Sequence, residues 1–173
     1  LITSKTRFTT TLTLNRPDTR NALAPSLVEA LLTAIQAASL DGTRLLVLRG
    51  EGKLFCAGFD LSDLDVCSEG DLLWRIIRIE QLLQAVYFAP FDTLALVHGA
   101  AVGAGAELLA SCTHRVAEND SRYKFPGAGF GLILGTRRLA GLIGSDAVLA
   151  HSGNPAGLGA SEALQQGLLT QIA

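Results

Sequence analysis

Methionine is missing from this 173-residue sequence, histidine and cysteine occur three times each, tryptophan occurs once, and aromatic residues make up only 6%. The cysteines, Cys56, Cys67 and Cys112, are odd in number and far apart, with no C-x-x-C and no histidine at zinc-ligand spacing. That pattern excludes a disulfide scaffold and a structural zinc site, and makes a reduced, cytoplasmic chain the expectation. Charge is sparse as well. Fourteen Lys and Arg face sixteen Asp and Glu for a net charge of -2. Apart from Arg137-Arg138 the basic residues are scattered, so there is no electrostatic footprint for nucleic acid. No stretch of about 18 residues escapes a charge or a turn signal, which argues against a membrane span. Nor does a basic start lead into an apolar run, as a secretory signal requires.

What is present is a 49% hydrophobic chain, long enough for one sizeable core. A single domain over residues 1–173 is therefore expected. No fixed-period repeat, low-complexity segment or linker divides it. TTTLTLNRP (9–17) alternates Thr with Leu and reads as a half-buried strand ending at a turn. NALAPSLVEALLTAIQAAS (21–39) carries Leu27, Ala30, Leu31, Ala34, Ile35 and Ala38 at helical spacing, with Pro25 at a plausible first turn. RLLVLRG (44–50) and DTLALVHG (92–99) read as strands, 71–90 as a long helix, 103–112 as a helix and 114–119 as a strand with its exit. Alternating strands and helices predict an α/β fold with connections crossing over a sheet.

The chemistry concentrates in VHGAAVGAGAELLASC (97–112), where nothing between Gly99 and Ala106 is larger than valine and one carboxylate, Glu107, follows. A strand giving way to a helix leaves unpaired backbone N–H groups that attract negative charge. Small residues let an oxygen approach those groups directly. The alternatives are a phosphate cradle, an oxyanion hole, or close helix–strand packing with an acid in the first helical turn. Neither nucleotide motif is satisfied. Leu108 stands where G-x-G-x-x-G needs its third glycine, and no Gly-Lys-Ser/Thr occurs. KLFCAGFDL (53–61) also follows a strand and also leaves a bare backbone, at Ala57-Gly58. Two such segments can converge on one oxygen and stabilise its developing charge, one donor being worth about 2.7–4 kcal/mol in a known case.

In five segments taken in order, the sequence resembles the enoyl-CoA hydratase/isomerase (crotonase) superfamily. They are LTLNRPDTRNAL (12–23), LVLRGEGKLFCAGFDL (46–61), LVHGAAVGAGAELLASCTHRVA (96–117), FPGAGFGLILGTRRL (125–139) and ASEALQQGLLTQI (160–172). The resemblance implies a crotonase-like spiral of β-β-α units that binds acyl-CoA and assembles as a homotrimer or a dimer of trimers. It implies no metal and no redox cofactor, the CoA thioester being substrate. Family members continue past residue 173 through helices that cover the site, so a C-terminal helical part is expected to be absent from this chain.

Carried over residue by residue, the resemblance makes the backbone N–H groups of Phe59 and Ala104 the oxyanion hole and Glu107 the proton-transfer residue. Ala57, Gly58, Asp60, Leu61 and Gly103 fall in its substrate and CoA-binding loops, and Arg20 becomes a candidate phosphate contact, the alternative being a solvated turn residue. Hydratases carry a second catalytic glutamate after the proline of the segment aligned with FPGAGFG; here Pro126 is followed by Gly127. A lone carboxylate matches a one-base proton shuttle, or the handling of one water during hydrolysis, better than hydration, in which two carboxylates divide the work. Several single-base isomerases of the family keep their acid at the position that is glycine here, so isomerase does not follow by elimination. The other reading of Gly127 is a non-catalytic acyl-CoA-binding or assembly subunit. GLILGTRRL is shorter than the family's usual form and predicts a reshaped pocket floor. His98 reads as a satisfied strand-end residue, the alternative being a substrate contact. Trp74 and Tyr87 read as packing residues on the long helix, the alternative for Trp74 being a place in the acyl pocket. Cys56 has no neighbouring base to make it a nucleophile. Asp63, Asp65 and Glu69 are the acids that could reach the space left by Gly127.

Overall fold

In the computed structural model of the chain, residues 1–130 and 134–173 are described. The Thr–Leu alternation forms β2 (Thr9–Leu14), flanked by an antiparallel β1 (Ile2–Lys5). β3 (Leu45–Gly50), β4 (Asp92–Val97), β6 (His114–Ala117) and β9 (Gln171–Ile172) complete a sheet in the order β1-β2-β3-β4-β6-β9, parallel from β2 onward. Leu46, Val47 and Leu48 are buried in succession on β3, as expected of a parallel strand covered on both faces. A second, smaller sheet runs β5 (Ala100–Val102), β7 (Arg122–Lys124), β8 (Leu158–Gly159).

Helix α1 (Pro25–Ala38) has proline in its first turn and buries Leu27, Val28, Leu31, Ile35 and Ala38. The start at Pro25 agrees with the first-turn proline read from the sequence; the residues before it form a turn in which Arg20 and Asn21 adopt left-handed backbone conformations with φ of 55° and 54°. Ser68 caps α2 (Glu69–Tyr87) by accepting the Asp71 N–H at 3.1 Å, an arrangement worth about 1 kcal/mol. Only the second half of α2 is buried, through Ile79, Leu82, Leu83 and Val86. The expectation that Trp74 and Tyr87 pack is corrected. Both stand off that stripe, 58% and 53% exposed. Trp74 instead flanks a small cleft of about 30 Å³ with Leu23, Pro25 and Val28. Helices α3 (Ala104–Ala110), α4 (Thr136–Ile143), α5 (Ser145–His151) and α6 (Ala160–Gln165) follow. None of the helices described is long and apolar enough to cross a membrane.

One core unites the layers. Leu12, Leu14, Leu46 and Leu48 from the sheet meet Leu31, Leu82 and Leu83 from the helices, all fully buried. Each such leucine contributes about 1.5–3 kcal/mol of transfer free energy. β3 and β4 pair in parallel from Leu45↔Asp92 to Arg49↔Leu96, so the chain leaves both strands at the same edge of the sheet. The segments 51–61 and 98–103 therefore emerge side by side at the carboxyl ends, where open α/β sheets present their ligand sites.

Candidate active site

The two small-residue segments meet there. Val102 N–H donates to Cys56 O at 3.0 Å and Cys56 N–H to Ala100 O at 3.3 Å, a short parallel bridge between the loops. Gly58 has φ +86°, and a Cβ on it would stand 2.3 Å from Val102 O and 3.2 Å from Ala104 N. No side chain fits at that crossing, which accounts for the glycine on both steric and conformational grounds. Gly105 is as tightly placed on the other side, 2.5 Å from Cys56 O by the same construction. Among the described residues, no acceptor takes up the N–H of Phe59 or of Ala104. Two unpaired donors on adjoining loops can be satisfied by one external oxygen.

The 16–23 segment is the frame that holds this loop. Arg20 O accepts the Ala57 N–H at 2.9 Å, and Leu23 N–H donates to Gly58 O at 2.7 Å. The Asn21 side chain is fully buried: Oδ1 accepts the Arg16 N–H, while Nδ2 donates to Glu51 O and Leu54 O. Consecutive left-handed non-glycine residues cost about 1–3 kcal/mol each, and these bonds hold them in place. Arg16 Nη1 donates to Asp60 Oδ2 and to Ala22 O, both at 2.7 Å. Asp60, only 5% exposed, also accepts the Ser62 N–H. Burial raises the affinity of Asp60 for its proton, but the Arg16 and Ser62 hydrogen bonds outweigh it and hold the carboxyl below its usual range. Arg20 itself points its charge outward, exposed and with no ion pair among the described residues, and Leu61 is 62% exposed.

Glu107 lies in the first turn of α3, partly buried. Its Oε1 accepts the Gly135 N–H at 2.9 Å. Loss of solvent pushes its carboxyl upward, the Gly135 N–H and the nearby Arg138 charge pull it down, and the Glu80 carboxylate pushes it up again; the net direction is upward. A carboxylate with raised proton affinity is the kind suited to moving a proton near neutral pH. Gly103 lies 3.9 Å, by its virtual Cβ, from the Pro126 ring, so the Pro126–Phe130 turn borders the loop. That turn carries no carboxylate.

Several sequence-derived candidates are engaged elsewhere or exposed. Asp63 is tied by two 2.6 Å bonds to Arg75, and Asp65 and Glu69 are exposed. His98 Nε2 bonds Gly52 O at 2.9 Å, the satisfied strand-end role expected of it. Burial pushes the Cys56 thiol up to about 12; it donates to Asn21 O and accepts the Gly58 N–H, a structural thiol rather than a thiolate. Sequence reasoning missed Gly135, Arg138 and Glu80. Arg138 clamps Glu80 through both terminal nitrogens, a pairing across 58 residues of sequence that no local pattern announces. The reshaped pocket floor expected of GLILGTRRL falls partly on residues 131–133, outside the described residues. Among the described residues, no three His, Cys, Asp or Glu side chains gather as metal ligands.

A spiral-built α/β domain whose two bare loops cross beside a partly buried carboxylate defines a crotonase-fold protein. The enoyl-CoA hydratase/isomerase family profile matches residues 8–173, and the chain belongs to that family. It is 38% identical over 170 residues to a Mycobacterium leprae protein named probable enoyl-CoA hydratase echA6, covering 94% of this chain and 66% of that one. It is 33% identical to the enoyl-CoA isomerase/hydratase fer4 of Mycosarcoma maydis, covering 94% of this chain and 64% of that one. The chain thus spans about two thirds of the length of these relatives. Among solved structures, a Bordetella parapertussis protein provisionally described as an enoyl-CoA hydratase/isomerase superposes with a TM-score of 0.97 at 43% identity. That match covers 99% of this chain and 72% of the other. The enoyl-CoA hydratase of Mycobacterium smegmatis gives 0.93 at 30% identity, over 99% and 69% of the two chains.

Proposed function

We propose that the protein is an acyl-CoA enzyme that stabilises a thioester enolate and moves one proton at or next to the α-carbon. In this reading the thioester oxygen sits between the N–H groups of Phe59 and Ala104, and Glu107 carries the proton. The observation that carries it is the crossing at Gly58, which brings two N–H donors without acceptors onto adjoining loops. Donors fixed in advance stabilise charge only as it develops on the oxygen, so they lower the barrier more than they tighten ground-state binding. Hydration adds a water-derived hydroxyl at C3 and a proton at C2, work usually divided between two acids. Here Gly127 stands at the second position, and the Glu80 carboxylate is committed to Arg138, which with Gln84 holds it below the usual range against the upward push of burial. A 1,3-proton shuttle, in which Glu107 removes the α-proton and returns it to the γ-carbon, asks for one carboxylate only and fits better.

Arg20, exposed beside the 57–61 loop, is the candidate contact for a CoA phosphate. In the same reading Ala57, Gly58, Asp60, Leu61 and Gly103 belong to the loops that bind substrate and CoA, with the Asp60 carboxylate holding its loop through Arg16. Assembly as a homotrimer or a dimer of trimers belongs to the same reading, and so does independence from metal and redox cofactors. A non-catalytic acyl-CoA-binding subunit is the second reading, favoured by Gly127 alone. The deciding measurement is thioester absorbance with crotonyl-CoA and a 3-enoyl-CoA, wild type against Glu107→Gln. The enzyme reading expects turnover in wild type and a loss of about 10²-fold or more in the variant. Two equally inert proteins that still bind CoA leave the binding subunit, and two that do not bind CoA remove both readings.

A further inference from the structure

Three helices converge on Glu107, and the charges they bring are arranged in opposition. Gly135, which donates to Glu107, is the residue immediately before α4, and Arg138 lies in the first turn of that helix. Arg138 reaches across to α2 and holds Glu80 in a two-point ion pair, with Nη1 to Oε1 at 2.9 Å. Gln84 adds a hydrogen bond to Oε1, also at 2.9 Å. Both partners are largely withdrawn from solvent, Arg138 at 14% and Glu80 at 27% side-chain exposure. The Arg138 Nε is buried without an acceptor among the described residues, so Glu80 does not exhaust this guanidinium's donors.

Other charges around Glu107 are few. β5 contributes Ala100–Val102 and the Pro126–Phe130 turn contributes no titratable group. Cys56, behind Gly105, is a neutral thiol. The remaining charged residues of α2 near this level are occupied elsewhere: Arg75 with Asp63 and Arg78 with Glu29. Arg137 is exposed. Among the described residues, the charged side chains that act on Glu107 are therefore one cation and one anion locked to each other.

We propose that Glu80 and Arg138 are positioning residues that act as a matched pair. Their ion pair anchors the start of α4 against Glu107 and cancels the two charges, so that Glu107 keeps a proton affinity suited to transfer. With Glu80 neutralised, the guanidinium charge is no longer cancelled, and its pull on Glu107 stabilises the carboxylate. With Arg138 neutralised, an unpaired anion faces Glu107 and stabilises its protonated form. The two single substitutions have opposite electrostatic signs, whereas a merely structural role would give them the same effect.

The inference rests on Glu107 as the proton-transfer group, and two measurements separate its failure from the failure of that reading. The first is the pH–rate profile of kcat for acyl-CoA turnover in Glu80→Gln, Arg138→Gln and the double variant. The acid limb is expected to move to lower pH in Glu80→Gln, to higher pH in Arg138→Gln, and back toward wild type when both are changed, with Arg138→Lys restoring part of the wild-type profile. The second is direct titration of the Glu107 carboxyl by carbon-13 NMR in the same proteins, which needs no substrate and is expected to show the same opposed shifts. Shifts of the same sign in both single variants, or no shift in either, overturn the proposal. If Arg138→Gln does not fold, Glu80→Gln decides alone: an unmoved Glu107 titration overturns it. Full activity in Glu107→Gln would instead remove the catalytic reading and leave the NMR result to judge the pair.

Discussion

Gly135 lies directly against Glu107: its N–H donates to Oε1 at 2.9 Å, and a Cβ on it would stand 2.8 Å from Glu107 Cγ and 2.9 Å from Cβ and Cδ. The backbone of Gly135 has φ of -91°, which any residue can adopt. Alanine at this position therefore causes no backbone strain of its own, but its methyl group presses on the Glu107 side chain from Cβ to Cδ, and the Cβ, fixed to the α3 backbone, cannot swing away. Gly135→Ala should displace Glu107 and lower kcat/KM by about tenfold or more, since about 1.4 kcal/mol of lost positioning suffices for that. Because the Glu107 Cβ cannot yield, the variant should also lose about 1–3 kcal/mol of stability, and the fall in turnover should exceed what this instability explains. Unchanged turnover of the variant would show that Glu107 does not need this orientation.

Gly58→Ala tests the other half of the site and adds backbone strain to the steric clash. Here the φ of +86° is unfavourable for alanine, and the new methyl would press on Val102 O, a backbone atom that cannot swing away. The loops must separate, so stability should fall by about 1–3 kcal/mol, read from urea denaturation. Turnover should fall further than this instability explains, because the same separation moves the Phe59 and Ala104 N–H groups apart. A variant that melts lower yet turns over acyl-CoA normally would contradict the placement of the oxygen between them.

Much of this site is legible in the sequence, and the part that is not has a physical reason. Runs of small residues at 57–58 and 99–106 mark a close backbone approach, and the partner of each run is the other, which parallel pairing of β3 and β4 supplies. Glu107 stands out because it is the single acid in an apolar segment. The Asn21 network is announced only as a turn, since its hydrogen bonds reach 30 and 33 residues ahead. Glu80 and Arg138 are invisible for the same reason: each sits in an ordinary amphipathic helix pattern, and only the packing of α2 and of α4 on α3 brings them into reach of each other. The strand Ala100–Val102 was missed because three residues of small side chain carry no alternation to read.

The three thiols should sort by burial. Cys56 and Cys112 are both enclosed, and burial pushes each thiol up to about 12. Thiolate is the reactive form, so neither should react with a disulfide reagent in the native protein. Cys67, just before the α2 cap, is partly exposed. Titration of the folded protein should therefore consume one equivalent promptly and the other two only in denaturant. Prompt reaction of Cys56→Ser as well as wild type is expected; loss of the fast equivalent in Cys56→Ser would mean that the loop at Gly58 opens readily.

Glu107 also makes a prediction about stability, with a definite sign. Desolvation raises its carboxyl in the folded state, over the opposing Gly135 hydrogen bond and Arg138 charge. Between the unfolded and folded pKa values the folded protein therefore binds more protons, so stability falls as pH rises across that window and remains lower above it. Gln at this position keeps an oxygen to accept the Gly135 N–H and has no charge to desolvate. Glu107→Gln should melt with wild type at pH below the ordinary carboxylate range and above wild type near neutral pH, while losing turnover. Opposed changes in stability and activity are what a functional buried acid produces. If the variant instead melts lower at every pH, the carboxylate is a net stabilising partner in the α3–α4 contact, and the upward shift of its proton affinity is wrong in sign.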